Sequence, residues 1–294
     1  RQLPRLPTRN IIAEPAMRNT APCIGFAMLH LRRRDPGASF VVLPSDHLIS
    51  EAARFRRYLR DGLRFLDRHP EYSVTLGIRP TSPSTAYGYV QRGRVLDRTP
   101  SGAVETVRRF IEKPQAARAR RFVQSGSYLW NAGIFLWKLE TFEQLLGRHM
   151  PRLARQLRRI DALIGRRGKA AEIARLYERL PSLSVDYGVM EKARRVAVLP
   201  CDVPWSDVGS WSALTDLLPR DAKHNVMRHP ARTTLLDVSG SIIYTDDLHV
   251  AALGVRDLII VQHGEALLIC PRERDQELRA LLAKLDREGK TSLL

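Results

Sequence analysis

Four short stretches of the chain carry side chains that could do chemistry. Pro44-Ser45-Asp46-His47 follows the apolar run Phe40-Val41-Val42-Leu43. A carboxylate just beyond a buried strand can hold a hard cation or can cap the next turn, and Asp46 alone is compatible with both. Trp205-Ser206-Asp207-Val208-Gly209-Ser210-Trp211 supplies a second carboxylate. Small residues around it let backbone or ligand approach closely, and the two tryptophans would wall it from water. Glu112-Lys113-Pro114 leaves an acid and a base at a strand end, where Lys113 could meet a phosphate as a point charge or form a surface ion pair of little worth. In Tyr128-Leu129-Trp130-Asn131-Ala132-Gly133-Ile134-Phe135 an amide sits inside an apolar strand. A buried Asn131 must be hydrogen-bonded, by backbone in a bulge or by a ligand hydroxyl.

Positioning these groups requires strands that end where the groups begin. Phe40 to Leu43, stopped by Pro44, has the pattern of a parallel strand covered on both faces. Ser50 can cap the next helix, whose stripe is Phe55, Tyr58, Leu59 and Leu63, and Tyr72 to Ile78 forms the following strand. Strand, helix and strand make the right-handed crossover of doubly wound α/β folds, where ligands bind beyond the carboxyl ends of the strands. Further strands are expected at 104–111, 128–137 and 195–200, with helices at 115–124, 139–149, 152–163 and 169–180. After about Asp221 the texture changes to five short β-rich runs at 233–238, 241–245, 249–253, 257–262 and 265–270. Pro271 then opens a last helix with Leu278, Leu281, Leu282 and Leu285 on one stripe. The reading divides the chain into domains 1–222 and 223–294.

Composition bounds the classes. With 294 residues, 44% hydrophobic and 27% charged, the chain can bury a real core, which excludes disordered and collagen-like architectures. It contains neither a run of eighteen apolar residues nor an apolar signal core, so a cytoplasmic protein without a membrane partner is expected. Cys23, Cys201 and Cys270 are far apart and read as buried small apolar residues. The net charge of +17 is spread thinly, on polar helix faces and without interleaved aromatic residues, so a solvated basic surface is expected rather than nucleic-acid binding.

The ordered series Glu14-Pro15, Arg18-Asn19-Thr20-Ala21-Pro22, Pro44-Ser45-Asp46-His47, Tyr87-Gly88-Tyr89, Phe110-Ile111-Glu112-Lys113-Pro114, Trp130-Asn131-Ala132-Gly133-Ile134-Phe135, Asp186-Tyr187-Gly188-Val189-Met190-Glu191-Lys192 and Trp205 to Trp211 resembles the bacterial mannose-1-phosphate guanylyltransferases of the sugar-nucleotidyltransferase family. The resemblance implies an α/β, Rossmann-like nucleotidyltransferase domain with a mixed, mostly parallel sheet. It also implies a small C-terminal left-handed β-helix with a terminal α-helix. The implied reaction joins GTP and mannose 1-phosphate into GDP-mannose and pyrophosphate, as relatives often paired into homodimers do. Its attacking group is an already ionised phosphate oxygen, so no general base is needed. The obstacle is repulsion, since like unit charges about 4 Å apart repel by roughly 4 kcal/mol at an effective dielectric of about 20. By the resemblance Asp46 and Asp207 hold Mg²⁺, and together with Lys113 they form the catalytic set. Glu14, Pro15, Asn19 and Thr20 take the nucleotide, Glu14 accepting the adjacent N1 and N2 donors of guanine, while Asn19-Thr20 could equally just cap a helix starting at Pro22. Gly88, Glu112, Asn131 and Asp186 take the sugar, though Asp186 could equally be an N-cap.

The sequence departs from the family in one respect. The Gly-rich turn followed by Arg-Leu-x-Pro, which cradles the triphosphate, is not present in these 294 residues, and Arg5-Leu6-Pro7 has no preceding glycine. The expectation is an N-terminally truncated chain that lacks the first strand of its sheet, exposes an apolar edge, and turns over little or no substrate alone. Two rival classes are a non-catalytic sugar-nucleotide regulator and a transferase for another hexose 1-phosphate.

Overall fold

The computed structural model describes residues 4–290. They pack as two compact units: the chain up to Ser45 with Ile49–Trp205, and Asp46–Leu48 with the chain from Ser206 onward. In chain order the first part holds α1 (Thr20–Arg34), β1 (Ser39–Val42), β2 (Leu48–Ile49), α2 (Ala52–Arg68), β3 (Ser73–Ile78), β4 (Tyr89–Thr99), β5 (Gly102–Ile111), α3 (Ala116–Ser125) and β6 (Tyr128–Lys138). α4 (Leu139–His149), α5 (Pro151–Asp161), α6 (Ala170–Glu178), β7 (Val196–Cys201) and β8 (Trp205–Ser206) follow. α7 (Leu214–Leu217), β9 (Val226–Met227), β10 (Thr233–Leu236), β11 (Ile242–Tyr244), β12 (Val250–Leu253), β13 (Leu258–His263), β14 (Ala266–Pro271) and α8 (Leu278–Arg287) complete the chain.

The main sheet of the first unit has the order β1-β6-β3-β7-β5-β4, and β4 also pairs with β6. It is mixed, but only the β3–β7 ladder is parallel. The expectation of mostly parallel pairing fails because β6 inserts antiparallel between β1 and β3, and because β4 and β5 form an antiparallel hairpin. For the same reason β1 is an antiparallel edge strand rather than a central parallel one: Val41 and Val42 are half-buried and Leu43 is 48% exposed.

Alternation along β6 sorts its side chains onto two layers. Phe135 and Trp137 face a core shared with Phe26 and Leu29 of α1, Phe142 and Leu146 of α4, and Leu153 and Leu157 of α5. Ile134 and Leu136 face the other way, onto Tyr58, Phe65 and Leu66 of α2. The expected stripe Phe55, Tyr58, Leu59 and Leu63 does pack there, although Glu51 rather than Ser50 precedes the helix. Gly62 lets α2 lie close to the sheet, since a Cβ there would stand 2.9 Å from Leu136 Cδ2. Cys201 is buried and Cys270 half-buried, but Cys23 is exposed: it lies on the outward side of α1, so the expectation of three buried thiols fails there.

In the second unit, β9, β11 and β13 stack as a parallel ladder, β14 pairs antiparallel with β13, and β10 with β12 forms a second parallel ladder. Val226, Ile242 and Ile259 stand in register and are fully buried. Residues expected in the first domain join this core: Trp211, Leu214 and Leu218 pack against it. By packing, the second compact unit takes up the chain from Ser206 onward. Asn225, 1% exposed, stitches successive turns together. Its side-chain amide donates to Asp221 and to the Val238 carbonyl, both at 3.0 Å, and its Oδ1 accepts from Ser241 N at 3.0 Å. Asn225→Ala takes this partner from the buried Val238 carbonyl and the buried Ser241 amide and is expected to cost roughly 2–4 kcal/mol. Denaturant unfolding followed by the fluorescence of Trp211, which packs on this core, measures the loss.

Candidate active site

Gly88, Glu112, Lys113, Asn131 and Asp186 come together in the first unit. The register of β3 with β6 shifts between Thr75 and Gly77, and the resulting irregularity aims Asn131 into the fold. Protein groups take up its oxygen and one of its two amide hydrogens, which leaves the second hydrogen for a ligand. Its Oδ1 accepts from the Thr75 hydroxyl at 3.0 Å and from Gly133 N at 3.2 Å, and its Nδ2 donates to Asp186 Oδ1 at 2.9 Å. Asp186 opens a π-helical turn, Asp186–Met190, and its carboxylate serves Asn131 rather than capping the turn.

Glu112 is placed by β5, whose end bends at Lys113 into the left-handed region, φ 46°. The Glu112 amide donates to Glu191 Oε1 at 3.0 Å, and Lys113 Nζ lies 3.4 Å from Glu112 Oε1. The other carboxylate oxygen, Glu112 Oε2, is buried with no hydrogen-bond partner. It occupies the space a side chain at position 88 would take, since a Cβ on Gly88 would stand 2.3 Å from it. Burial, reinforced by the Asp186 charge, pushes the Glu112 carboxyl up to about 7. Burial likewise raises Asp186. Beside Gly88, the Tyr87 ring meets Trp130 at 4.8 Å and Trp205 at 5.4 Å. A buried acceptor with an open lone pair next to an aromatic wall suits a ligand hydroxyl.

Glu14 lies exposed before α1, where the buried Tyr177 of α6 donates a hydrogen bond to its Oε2 at 2.6 Å. Burial, and then the hydrogen bond and charge of Glu14, raise the Tyr177 hydroxyl, which therefore stays a donor. α1 starts at Thr20 rather than Pro22, with the Asn19 side chain accepting from Thr20 N at 2.8 Å. Thr20 Oγ1 accepts from Val185 N at 2.9 Å, which ties the helix start to the residue before Asp186. Pro15 is exposed in the same loop.

Asp46 and Asp207 belong to the second unit, Asp46 just before β2 in the chain and Asp207 directly after β8, two strands that pair. Both act on the His47 imidazole, their charges opposing the burial that lowers it. Asp207 Oδ1 accepts from Gly209 N at 3.1 Å, and a Cβ on Gly209 would stand 2.6 Å from Asp207 Oδ2. The two tryptophans that bracket Asp207 in sequence take different aromatic partners. Trp205 joins Tyr87 and Trp130, whereas Trp211 packs on Tyr244 at 5.5 Å. Among the described residues no group of three or more His, Cys, Asp or Glu is arranged to hold a metal. A pair of carboxylates alone fits Mg²⁺, which keeps most of its waters, better than it fits Zn²⁺.

Tyr177 and Thr75 carry no chemical signature in the sequence and emerge only from these contacts. Glu191 lies in a stretch already singled out, but without a role. None of the helices among the described residues is long and apolar enough to cross a membrane.

A mixed sheet sandwiched by helices, with buried carboxylates at its rim, is the architecture of a nucleotide-transferring α/β fold. Residues 2–224 match the family described as nucleotidyl transferase, and residues 231–285 match the MannoseP isomerase/GMP-like beta-helix domain. The chain belongs to the nucleotidyl transferase family. It is 36% identical over 283 residues to a mannose-1-phosphate guanylyltransferase of Klebsiella pneumoniae, covering 95% of this chain and 58% of that protein. It is 33% identical over 284 residues to a mannose-1-phosphate guanylyltransferase of Escherichia coli, covering 96% and 60%. A crystal structure from Thermus thermophilus, described as mannose-1-phosphate geranyltransferase, is similar with a TM-score of 0.80 at 33% identity, over 94% of this chain and 77% of that one. The chain thus spans about 60% of the length of these curated relatives.

A carboxyl whose midpoint is raised by folding binds more protons folded than unfolded, so stability falls as pH climbs from the ordinary glutamate range toward 7. The penalty is absent below that window and complete above it. Glu112→Gln is expected to stabilise the protein by roughly 2–3 kcal/mol at about pH 8 and to be nearly neutral at about pH 5. Urea unfolding of both proteins across this range checks the sign.

Proposed function

We propose that this chain carries the machinery that transfers GMP from GTP to mannose 1-phosphate, giving GDP-mannose and pyrophosphate. An oxygen of the sugar phosphate attacks the α-phosphorus. One P–O bond forms, the bond to the bridging oxygen breaks, and the electron pair leaves with pyrophosphate. Catalysis of this kind is positioning and charge neutralisation rather than covalent chemistry.

The observation that carries the reading is Glu112 Oε2, buried and unpartnered under the side-chain-free Gly88. In this reading it accepts a sugar hydroxyl, while Asn131 and Asp186 fix the wall behind it and Lys113, 48% exposed, offsets the sugar phosphate. Glu14, steadied by Tyr177, accepts the N1 and N2 hydrogens of guanine, with Pro15, Asn19 and Thr20 shaping its loop. Asp46 and Asp207 would hold Mg²⁺, which when bound supplies positive charge at the α-phosphate. The names of the relatives support the choice of mannose and guanine.

Calorimetric titration with mannose 1-phosphate tests the sugar site. Gly88→Ala forces Glu112 aside and is expected to weaken binding about tenfold or more, the scale of a lost charge-assisted hydrogen bond. Equal affinity in the variant removes Glu112 Oε2 from the sugar site. For the metal, in a protein that also carries the triphosphate-cradling turn, Asp46→Asn and Asp207→Asn are each expected to lower Mg²⁺-dependent GDP-mannose formation by roughly a hundredfold or more. Near-normal rates in either variant exclude that carboxylate as a ligand.

A further inference from the structure

Several guanidinium groups of the first unit are paired: Arg32 and Arg33 share Asp161, Arg54 meets Asp202, Arg68 meets Asp97 and Arg92 grips Glu105. One cleft of the first unit instead gathers three guanidinium groups with little such pairing. It measures about 640 Å³ and is lined by Arg148 and His149 at the end of α4, Arg194 and Arg195 before β7, Thr141, and Glu71 before β3. Among the described residues neither Arg148 nor Arg194 has a carboxylate within ion-pair distance, and Arg195 reaches Glu71 only at 4.0 Å. Three guanidinium groups therefore converge on one concavity with a single carboxylate to offset them.

Arg148 and His149 alone would complement the carbonyl end of α4. Arg194 and Arg195 come from a separate segment, so the helix end does not account for them. Lys192 adds to the same positive field. Together with Arg148, and behind burial as the larger cause, it holds His149 below the ordinary imidazole range. The cleft's volume lies within the range of small-molecule sites. Guanidinium forks in a concave basic wall match phosphate oxygens, which they bind in pairs of parallel hydrogen bonds.

We propose that this cleft is a binding site for a small, multiply charged phosphate compound, with Arg148, Arg194 and Arg195 as its ligating groups. It is separate from the carboxylate cluster, whose sugar assignment it does not need. The two are joined through the chain, because the segment that brings Arg194 and Arg195 to the cleft starts at Glu191, the residue that holds the Glu112 amide.

Inorganic tripolyphosphate without Mg²⁺ is the probe, titrated calorimetrically at physiological ionic strength into the wild-type chain and three variants. Arg148→Ala/Arg194→Ala alters two exposed side chains, keeps the melting temperature, and is expected to weaken binding roughly tenfold or more. Glu71→Gln removes the one opposing charge and is expected to tighten it. Lys113→Ala, in the carboxylate cluster, is expected to leave it unchanged. Hydrogen–deuterium exchange should slow at residues 193–196 when the probe is added to the wild type and not in the double variant. An absence of binding, equal binding by the double variant, or loss confined to Lys113→Ala overturns the proposal. The last result would place the anion at the carboxylate cluster and leave the proposed function standing.

Discussion

Taking carboxylates out of water is costly, and this site of the first unit takes out two, Glu112 and Asp186, close enough for the Asp186 charge to add to the rise that burial imposes on Glu112. Much of the local architecture answers that cost. The strand irregularity at Thr75–Gly77 delivers the Asn131 amide to Asp186, the left-handed turn at Lys113 brings an ammonium to Glu112, and the Glu112 backbone is pinned by Glu191. One oxygen is still left without a partner. In the proposed reading, Glu112 Oε2, left bare beside an Asn131 oxygen that protein donors satisfy, is the acceptor for a ligand hydroxyl.

The same logic separates groups that touch a ligand from groups that place them. Asn131 positions Asp186 with one of its two amide hydrogens, and its second hydrogen has no protein acceptor among the described residues. Tyr177 does the corresponding task for Glu14: fully buried, it has only its hydroxyl to offer, and it steadies a carboxylate that otherwise faces solvent. In the second unit, the charges of Asp46 and Asp207, from distant parts of the chain, both act on the His47 imidazole, and packing assigns the Asp46 segment to the unit that carries Asp207.

The sequence made some of this legible and concealed the rest for physical reasons. Helix α4 falls on its expected bounds because its apolar spacing is unbroken, and the five β runs of the C-terminal unit are visible because their side chains alternate in and out. β4 was invisible. Its centre, Gln91-Arg92-Gly93-Arg94, is polar, and three register shifts against β5 destroy the period of two. The place of β6 between β1 and β3 was equally hidden, because apolar runs report burial and say nothing of neighbour or direction. Glu112, Asn131 and Asp186 were legible as a set through their motifs, but the division of labour among them was not, since it rests on which lone pair the fold leaves empty.

The most direct test is a carbon-13 titration of the Glu112 carboxyl, assigned by comparison with Glu112→Gln. The account predicts a midpoint near 7 in the free protein, and a lower midpoint with mannose 1-phosphate than with inorganic phosphate, because a hydroxyl donated to Oε2 favours the charged form. A midpoint in the ordinary glutamate range, or one that responds equally to both compounds, would contradict it.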